Sequence, residues 1–195
     1  MPEPSEAGAP FVAGLVLAAG ASSPLGRSQQ MLPFGPSRLL DHTIATARTC
    51  RFDQLVVAIG GAAAQVREQV DVTGADIVVD GAGCSSSIAE AVDALDPRAE
   101  VLVLLLGDQP GLTCDTVAAL LAGRGDAGLA VCRYDDGLGH PFAFARAAFG
   151  TLRDLNGDKG VWKLVAAGGD DVAKVAVAGP VPIDVDSWAD DEAVR

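Results

Sequence analysis

Residues 11–35 read FVAGLVLAAGASSPLGRSQQMLPFG. The segment 12–18, VAGLVLA, is apolar throughout with no polar alternation, which predicts a strand buried on both faces, as in a parallel sheet. The run breaks at Gly20 into a loop of small residues that includes Ala21, Ser22, Ser23, Pro24 and Gly26. A glycine-rich loop directly after a buried strand lets backbone N–H groups approach a phosphate closely. The same residues also suit a tight strand exit that holds nothing, so the loop alone does not decide between the two.

Working outward, residues 37–49 (SRLLDHTIATART) place Leu39, Leu40, Ile44 and Ala47 at helical spacing, with Ser37 as N-cap. His42 falls mid-helix and reads as an ordinary partly buried or surface histidine. Residues 54–59 (QLVVAI) form the next buried strand, closed by Gly60 and Gly61, followed by a helix over 62–70 and a strand over 75–79. This alternation with short connections predicts a three-layer α/β fold: a mostly parallel, Rossmann-like sheet with right-handed crossovers and helices on both faces.

Residues 101–106 (VLVLLL) are the most apolar strand and belong at the centre of the sheet; they end in Gly107-Asp108-Gln109-Pro110. A carboxylate at the tip of a buried strand is costly unless it meets a cation or hydrogen bonds. A Mg²⁺ ion bound to substrate phosphates would satisfy it. The competing reading makes Asp108 a turn residue or the N-cap of a helix over 113–121. A similar choice arises at Gly83-Cys84-Ser85-Ser86-Ser87, where the serines cap the helix that follows. That N-terminus either is simply capped or faces a ligand at the carboxyl ends of the strands.

The second half is less regular. Residues 129–134 read as a strand, 135–141 as a turn-rich link into Phe142-Ala143-Phe144, and 146–155 as a helix. Residues 156–160 (NGDKG) turn into a further helix with Asp158 as N-cap, and Lys159 there opposes the helix dipole, which makes sense if it faces an anion. Residues 172–177 and 181–185 read as closing strands. Alternation puts Asp184 and Asp186 on one face, where a nearby cation would relieve their repulsion; an exposed terminal turn explains them equally.

Composition bounds the class. The 195 residues suit a mobile tail over 1–10 and a single domain over 11–195, with 49% hydrophobic and 21% charged residues as in ordinary globular proteins. A net charge of −12 argues against nucleic acid as a partner, which requires clustered Lys and Arg. Cys50, Cys84, Cys114 and Cys132 form no C-x-x-C pair, so neither a zinc site nor a dense disulfide framework is expected, and reduced thiols are the default. The apolar stretch after residue 10 lacks a preceding basic segment and is too short to span a bilayer. A cytoplasmic protein without membrane association is the expectation.

The LAAG segment (Leu17, Ala18, Ala19, Gly20), with Ser22, Gly26 and Leu32-Pro33, resembles the signature loop of nucleotidyltransferases, most closely the molybdenum cofactor cytidylyltransferases. Four further matches run in order: Gly83 with Ser85, Ser86 and Ser87; Gly107-Asp108-Gln109-Pro110; Gly139-His140-Pro141; and Gly157-Asp158-Lys159-Gly160. The resemblance covers residues 12–188 and implies a nucleotide-diphospho-sugar transferase-like fold. It implies transfer of CMP from CTP to a phosphorylated acceptor, molybdopterin, with Mg²⁺ as cofactor. Leu17, Ala18, Ala19, Gly20, Ser22, Gln29, Gly83, Ser85, Ser86 and Gln109 would then lie at the nucleotide and His140 on the acceptor side. Asp108 would hold the metal, with a second contact from Asp184 and Asp186. The family's loop also carries an Arg and a Lys for the triphosphate, and here Pro24 and Gln29 stand in their places. Arg27 and Lys159 are the cations available to compensate. If they do not, the chain is instead a catalytically impaired nucleotide- or cofactor-binding homologue that serves a molybdoenzyme partner during maturation.

Overall fold

The computed structural model describes residues 9–19, 29–61, 63–79, 84–155 and 160–185. Its main sheet has seven strands. In chain order they are β1 (Val12–Ala18), β4 (Gln54–Ile59), β5 (Asp76–Val79), β6 (Val101–Leu106), β7 (Leu129–Arg133), β8 (Leu138–Ala145) and β9 (Val172–Ala176), and β2 (Pro33–Phe34) and β3 (Ser37–Arg38) make a separate small hairpin. The spatial order is β5-β4-β1-β6-β8-β7-β9. Strands β5, β4, β1 and β6 are mutually parallel, β8 runs antiparallel to both β6 and β7, and β9 is parallel to β7.

Period-two alternation divides the apolar strands between two cores. One side chain set, including Val16, Val57, Ile59, Val103 and Leu105, packs under α1 (Leu39–Thr49), α2 (Ala63–Gln69) and α4 (Cys114–Arg124) through Leu40, Ile44, Val66, Val117 and Leu120. The other, including Leu15, Val56, Leu102, Leu104, Phe142 and Phe144, packs on α3 (Cys84–Asp93), α5 (Phe149–Arg153) and α6 (Gly160–Gly168) through Ile88, Val92, Leu152, Val161 and Val165. The three-layer α/β architecture, and a mostly parallel sheet whose first half follows strand–helix alternation, are as the sequence predicts.

Several local expectations are corrected. Ser37 is not the N-cap of α1: it pairs with Phe34 in the hairpin, and Arg38 caps the helix, its backbone N–H donating to the Asp41 carboxylate at 3.2 Å. Helix α4 starts at Cys114, with the Thr113 hydroxyl accepting from the Thr116 N–H at 3.2 Å, so Asp108 is not its cap. The expected helix over 146–155 is a 3₁₀ turn, Arg146–Ala148, running into the short α5.

The link expected over 135–141 is partly strand. The β7–β8 register jumps from Val131 opposite Phe142 to Cys132 opposite Gly139, leaving His140 and Pro141 as the extra residues of a bulge. A bulge is where a sheet accepts a proline, which has no N–H to give the ladder. The closing strand expected over 181–185 does not form. Pro180 and Pro182 cannot supply the ladder donors, and isolated bonds hold the segment instead: Gly179 N to Asp135 Oδ2 at 3.0 Å and Val181 N to Asp136 Oδ1 at 2.8 Å.

The cysteine expectation is also corrected. Cys50, the C-cap of α1, and Cys114, the first residue of α4, form a disulfide with Cα atoms 4.9 Å apart across 64 residues of sequence. Their approach depends on two helix ends meeting, which spacing along the chain does not reveal. Cys132 is a free thiol buried on β7, and burial pushes its pKa up to about 11, which makes it unreactive. Among the described residues no helix is long and apolar enough to cross a membrane.

Candidate active site

The parallel strands β1 and β6 end side by side, joined by the Gly107 N–H donating to the Leu17 carbonyl at 3.0 Å. Ala18 and Ala19 are buried at the exit of β1, with glycines on either side. A Cβ on Gly60 would lie 2.8 Å from the Ala19 carbonyl oxygen, and one on Gly107 would lie 3.1 Å from the Ala18 Cβ and 3.3 Å from the Leu17 oxygen. Only hydrogen on those α-carbons lets the three strand tips approach so closely. Gly20, Ser22 and Arg27 lie outside the described residues. The chain is described again from a 3₁₀ turn, Gln29–Met31, in which Gln29 and Gln30 are buried and the Gln29 carbonyl accepts from Leu32 N at 3.0 Å.

Asp108 stands half-buried in the turn after β6, and each residue of that turn is fastened to a neighbouring element. The Thr43 hydroxyl lies 3.4 Å from the Gly107 carbonyl and His42 Nε2 lies 3.2 Å from the Pro110 carbonyl, both from α1. Val185 N donates to the Asp108 carbonyl at 3.2 Å, and the Gln109 amide donates to the Pro182 carbonyl at 3.1 Å. Val185 is fully buried against Leu32 and Leu39, which anchors the segment from below. The exposed Asp184 is thereby brought to the residue next to a main-chain bond with Asp108. Asp186 lies outside the described residues.

Asp108 in the turn and Asp184 on the segment bonded to its main chain carry hard oxygen donors of the kind Mg²⁺ and Mn²⁺ take alongside substrate phosphates. Among the described residues no group of three or more His, Cys, Asp or Glu could cage a metal by itself. Carboxylate oxygens suit an ion that also takes phosphate oxygens.

His140 sits on the β8 bulge, near the end of β6 and two residues before Phe142, which pairs with Leu104. Its ring meets Phe142 edge-on at 4.5 Å and Trp162 of α6 at 6.0 Å. Its carbonyl accepts from the Tyr134 hydroxyl at 2.6 Å, and the His140–Pro141 peptide is cis. Burial pushes the imidazole down to about 3, so at neutral pH His140 offers a neutral ring nitrogen and no positive charge for phosphates. Helix α3 begins at Cys84, which puts Ser86, half-buried, and Ser87, fully buried, within its first turn. Ser85 shares that turn, though its side chain, like Gly83, is outside what is described, as is Lys159. Lys163 is exposed on α6.

The site thus brings together Leu17, Ala18, Ala19, Asp108, Gln109 and Asp184. Sequence reasoning missed the braces around Asp108: His42 and Thr43 on α1, and Asp135 and Asp136, which tie down the chain before Asp184. It also missed a cleft of about 490 Å³ beside the turn, walled by Phe34, Pro110, Gly111, Tyr134, Pro182 and Ile183. None of these carries a local signal, because each contact joins elements far apart in the chain.

A central carboxylate turn beside a small-residue strand exit, on a seven-stranded three-layer sheet, is the arrangement of a nucleotidyltransferase-type fold. The MobA-like NTP transferase domain matches residues 14–172, and the chain belongs to that family. It is similar to the crystal structure of the Rv0371c homolog from Mycobacterium sp. strain JC1, with 51% identity, TM-score 0.89 and 94% of each chain covered. It is also similar to Rv0371c of Mycobacterium tuberculosis H37Rv in complex with manganese, with 43% identity and TM-score 0.87 over 94% of this chain and 97% of that one. A CMP:2-keto-3-deoxy-manno-octonic acid synthetase complexed with CTP shares the fold at TM-score 0.73 and 15% identity, over 94% of this chain and 95% of that one. The Bifunctional protein GlmU of Cellvibrio japonicus is 30% identical over 147 residues, 73% of this chain and 31% of GlmU. The chain spans about a third of the length of the curated relatives it matches.

Proposed function

We propose that the protein transfers CMP from CTP to a phosphorylated small molecule, molybdopterin being the acceptor favoured by the motif resemblance, in the cytoplasm. An acceptor phosphate oxygen forms the new bond to the α-phosphorus of CTP. The bond from that phosphorus to the bridging oxygen breaks, and pyrophosphate leaves with the electron pair. The observation that carries this reading is the half-buried Asp108 at the tip of a central strand, tied through Val185 to the segment bearing Asp184.

In this reading Asp108 and Asp184 hold a divalent ion, Mg²⁺, with Asp186 two residues further along the chain, and the ion when bound offsets phosphate charge. The manganese complex of the Rv0371c relative supports a divalent ion, and the CTP complex of the synthetase with the same fold supports the nucleotide. The small-residue exit at Ala18 and Ala19 and the N-terminus of α3 orient the phosphates through main-chain N–H groups. His140, held neutral, lies on the acceptor side. Arg27 and Lys159 supply the positive charge that Pro24 and Gln29 do not.

A second reading is favoured by Gln29, which is buried and uncharged where the family's loop has a lysine. It makes the chain a nucleotide- or cofactor-binding homologue that serves a molybdoenzyme during maturation without transferring CMP. Titration of CTP with Mg²⁺, with pyrophosphate release followed on the same samples, separates the two. The transferase reading expects binding and turnover, with turnover lowered about 100-fold or more in Asp108→Asn at unchanged melting temperature. Binding without turnover favours the second reading. An Asp108→Asn variant that binds and reacts like the unmodified protein overturns the site.

A further inference from the structure

We propose that His42 is a positioning residue for the metal-bearing carboxylate: from helix α1 it fixes the turn in which Asp108 stands. The inference rests on the metal reading of Asp108 given above. His42 and Thr43 are consecutive on α1, yet they reach opposite ends of the same turn. The Thr43 hydroxyl, which shares its one proton with the Leu39 carbonyl at 3.2 Å, lies 3.4 Å from the Gly107 carbonyl, just before Asp108, and His42 donates to the Pro110 carbonyl, two residues after it. Since a carbonyl only accepts, the His42 nitrogen in that contact must carry the proton, so the Nε2–H form of the ring is selected.

The His42 ring is itself held. It lies against Phe34 with ring centroids 4.8 Å apart, and Phe34 belongs to the hairpin that follows Leu32. On the same helix Leu39, Leu40 and Ile44 are fully buried, so α1 cannot roll to follow a displaced turn. The disulfide from Cys50 to Cys114 fixes the far end of α1 to α4, four residues after Pro110 in the chain. From α1 the turn is therefore held chiefly by His42 at its Pro110 end, with Thr43 sharing its proton at the Gly107 end, while Val185 and Pro182 hold it from the other side. A carboxylate that has to meet a metal shared with a mobile substrate gains from a main chain that is already in place. Groups bonded directly to a metal ligand typically change metal affinity ten- to a hundredfold when removed, and His42, acting through the main chain two residues from Asp108, belongs at the low end of that range.

The test uses the full chain and Mn²⁺ as the probe, with affinity read by electron paramagnetic resonance in the presence of CTP and fold integrity by melting temperature. Four variants are compared with the unmodified protein: His42→Phe keeps a ring against Phe34 but has no donor, His42→Gln restores an N–H to the Pro110 carbonyl, His42→Ala removes both, and Asp108→Asn removes the ligand. The expected result is a loss of about tenfold or more in Mn²⁺ affinity for His42→Phe and His42→Ala, with His42→Gln recovering most of it. A purely structural role would make affinity follow melting temperature, with the ring-preserving Phe variant nearest the unmodified protein; that result overturns the inference. If Asp108→Asn loses the ion while all three His42 variants keep it, the inference falls and the metal reading stands. If Asp108→Asn binds Mn²⁺ as the unmodified protein does, the metal reading falls and the role of His42 falls with it.

Discussion

Two chain segments leave the tips of the neighbouring parallel strands β1 and β6, and they are built in opposite ways. After β6 the turn through Asp108 is fixed by polar contacts from three sources: α1, the 181–185 segment and its own Gln109 carbonyl, which accepts from Leu112 N at 3.4 Å. After β1 the described exit is made instead by the absence of side-chain bulk, with Gly60 and Gly107 pressed against Ala18 and Ala19. Under the proposed function Asp108 would need a defined direction toward a metal, and hydrogen bonds give direction. A wall that admits phosphates needs close backbone approach, and missing Cβ atoms give that. The difference teaches that one end of this sheet is positioned by contacts made, and the adjacent end by contacts left out.

The strongest way to break this contrast is to release the clamp on the β6 side. Opening the Cys50–Cys114 bond, by Cys50→Ser or by a dithiol that takes up the disulfide in exchange, frees a 64-residue loop in the unfolded chain. Stability should fall by about 2–4 kcal/mol in urea unfolding. CTP affinity should fall with it, because α1 and α4 flank the Asp108 turn. Unfolding midpoints that coincide with and without the dithiol would show that the two helix ends hold without the covalent link.

On the β1 side the informative change is Gln29→Lys. Gln29 is buried with only 8% of its surface exposed, so a lysine there has to bury a charge while no anion is bound. The variant should therefore melt lower than the unmodified protein alone. It should bind CTP with Mg²⁺ about ten- to a hundredfold more tightly, the yield of one charge-assisted hydrogen bond. Calorimetric titration together with melting curves with and without nucleotide checks both signs. A lysine variant that loses stability and gains no affinity would mean that position 29 does not face the triphosphate.

The same contrast accounts for what the sequence reveals. Buried parallel strands announce themselves as unbroken apolar runs, so β1, β4 and β6 are legible residue by residue and the helices between them in position, though not in their first residues. Leu39, Leu40, Ile44 and Ala47, predicted at helical spacing, are all fully buried. Asp108 is legible too, because a carboxylate ending such a run is chemically conspicuous. The bracing is not. His42 is an unremarkable helical residue until the fold carries α1 to a turn 65 or more residues away, and Cys50 and Cys114 look unrelated until two helices meet. The second half is harder for a related reason. Pro141 and Pro182 both break a strand pattern, yet the fold absorbs the first in a bulge within β8 and leaves the second in a segment without ladder bonds. Which outcome occurs depends on the neighbouring strand rather than on the proline.

The remaining prediction concerns His140, on the β8 bulge next to the Phe142–Leu104 pair. Enclosure by Phe142 and Trp162 holds its folded pKa near 3, well under the ordinary value of about 6.5. Between those values the unfolded chain binds a proton that the folded chain refuses. Stability from this group is therefore complete above about pH 6.5 and drains as pH falls toward the lowered folded value. The many carboxylates also titrate in acid, so the comparison has to be with His140→Gln, which lacks the group. Urea unfolding from pH 8 to pH 4 should show the unmodified protein losing stability more steeply than the variant, with the two curves parallel above pH 7. Because the chain has only two histidines, their ring proton resonances can be told apart by comparison with the same variant. The resonance assigned to His140 should not shift between pH 8 and pH 5. A midpoint near 6.5 would show that the ring is open to water and able to carry charge toward a phosphate, the role proposed for Arg27 and Lys159.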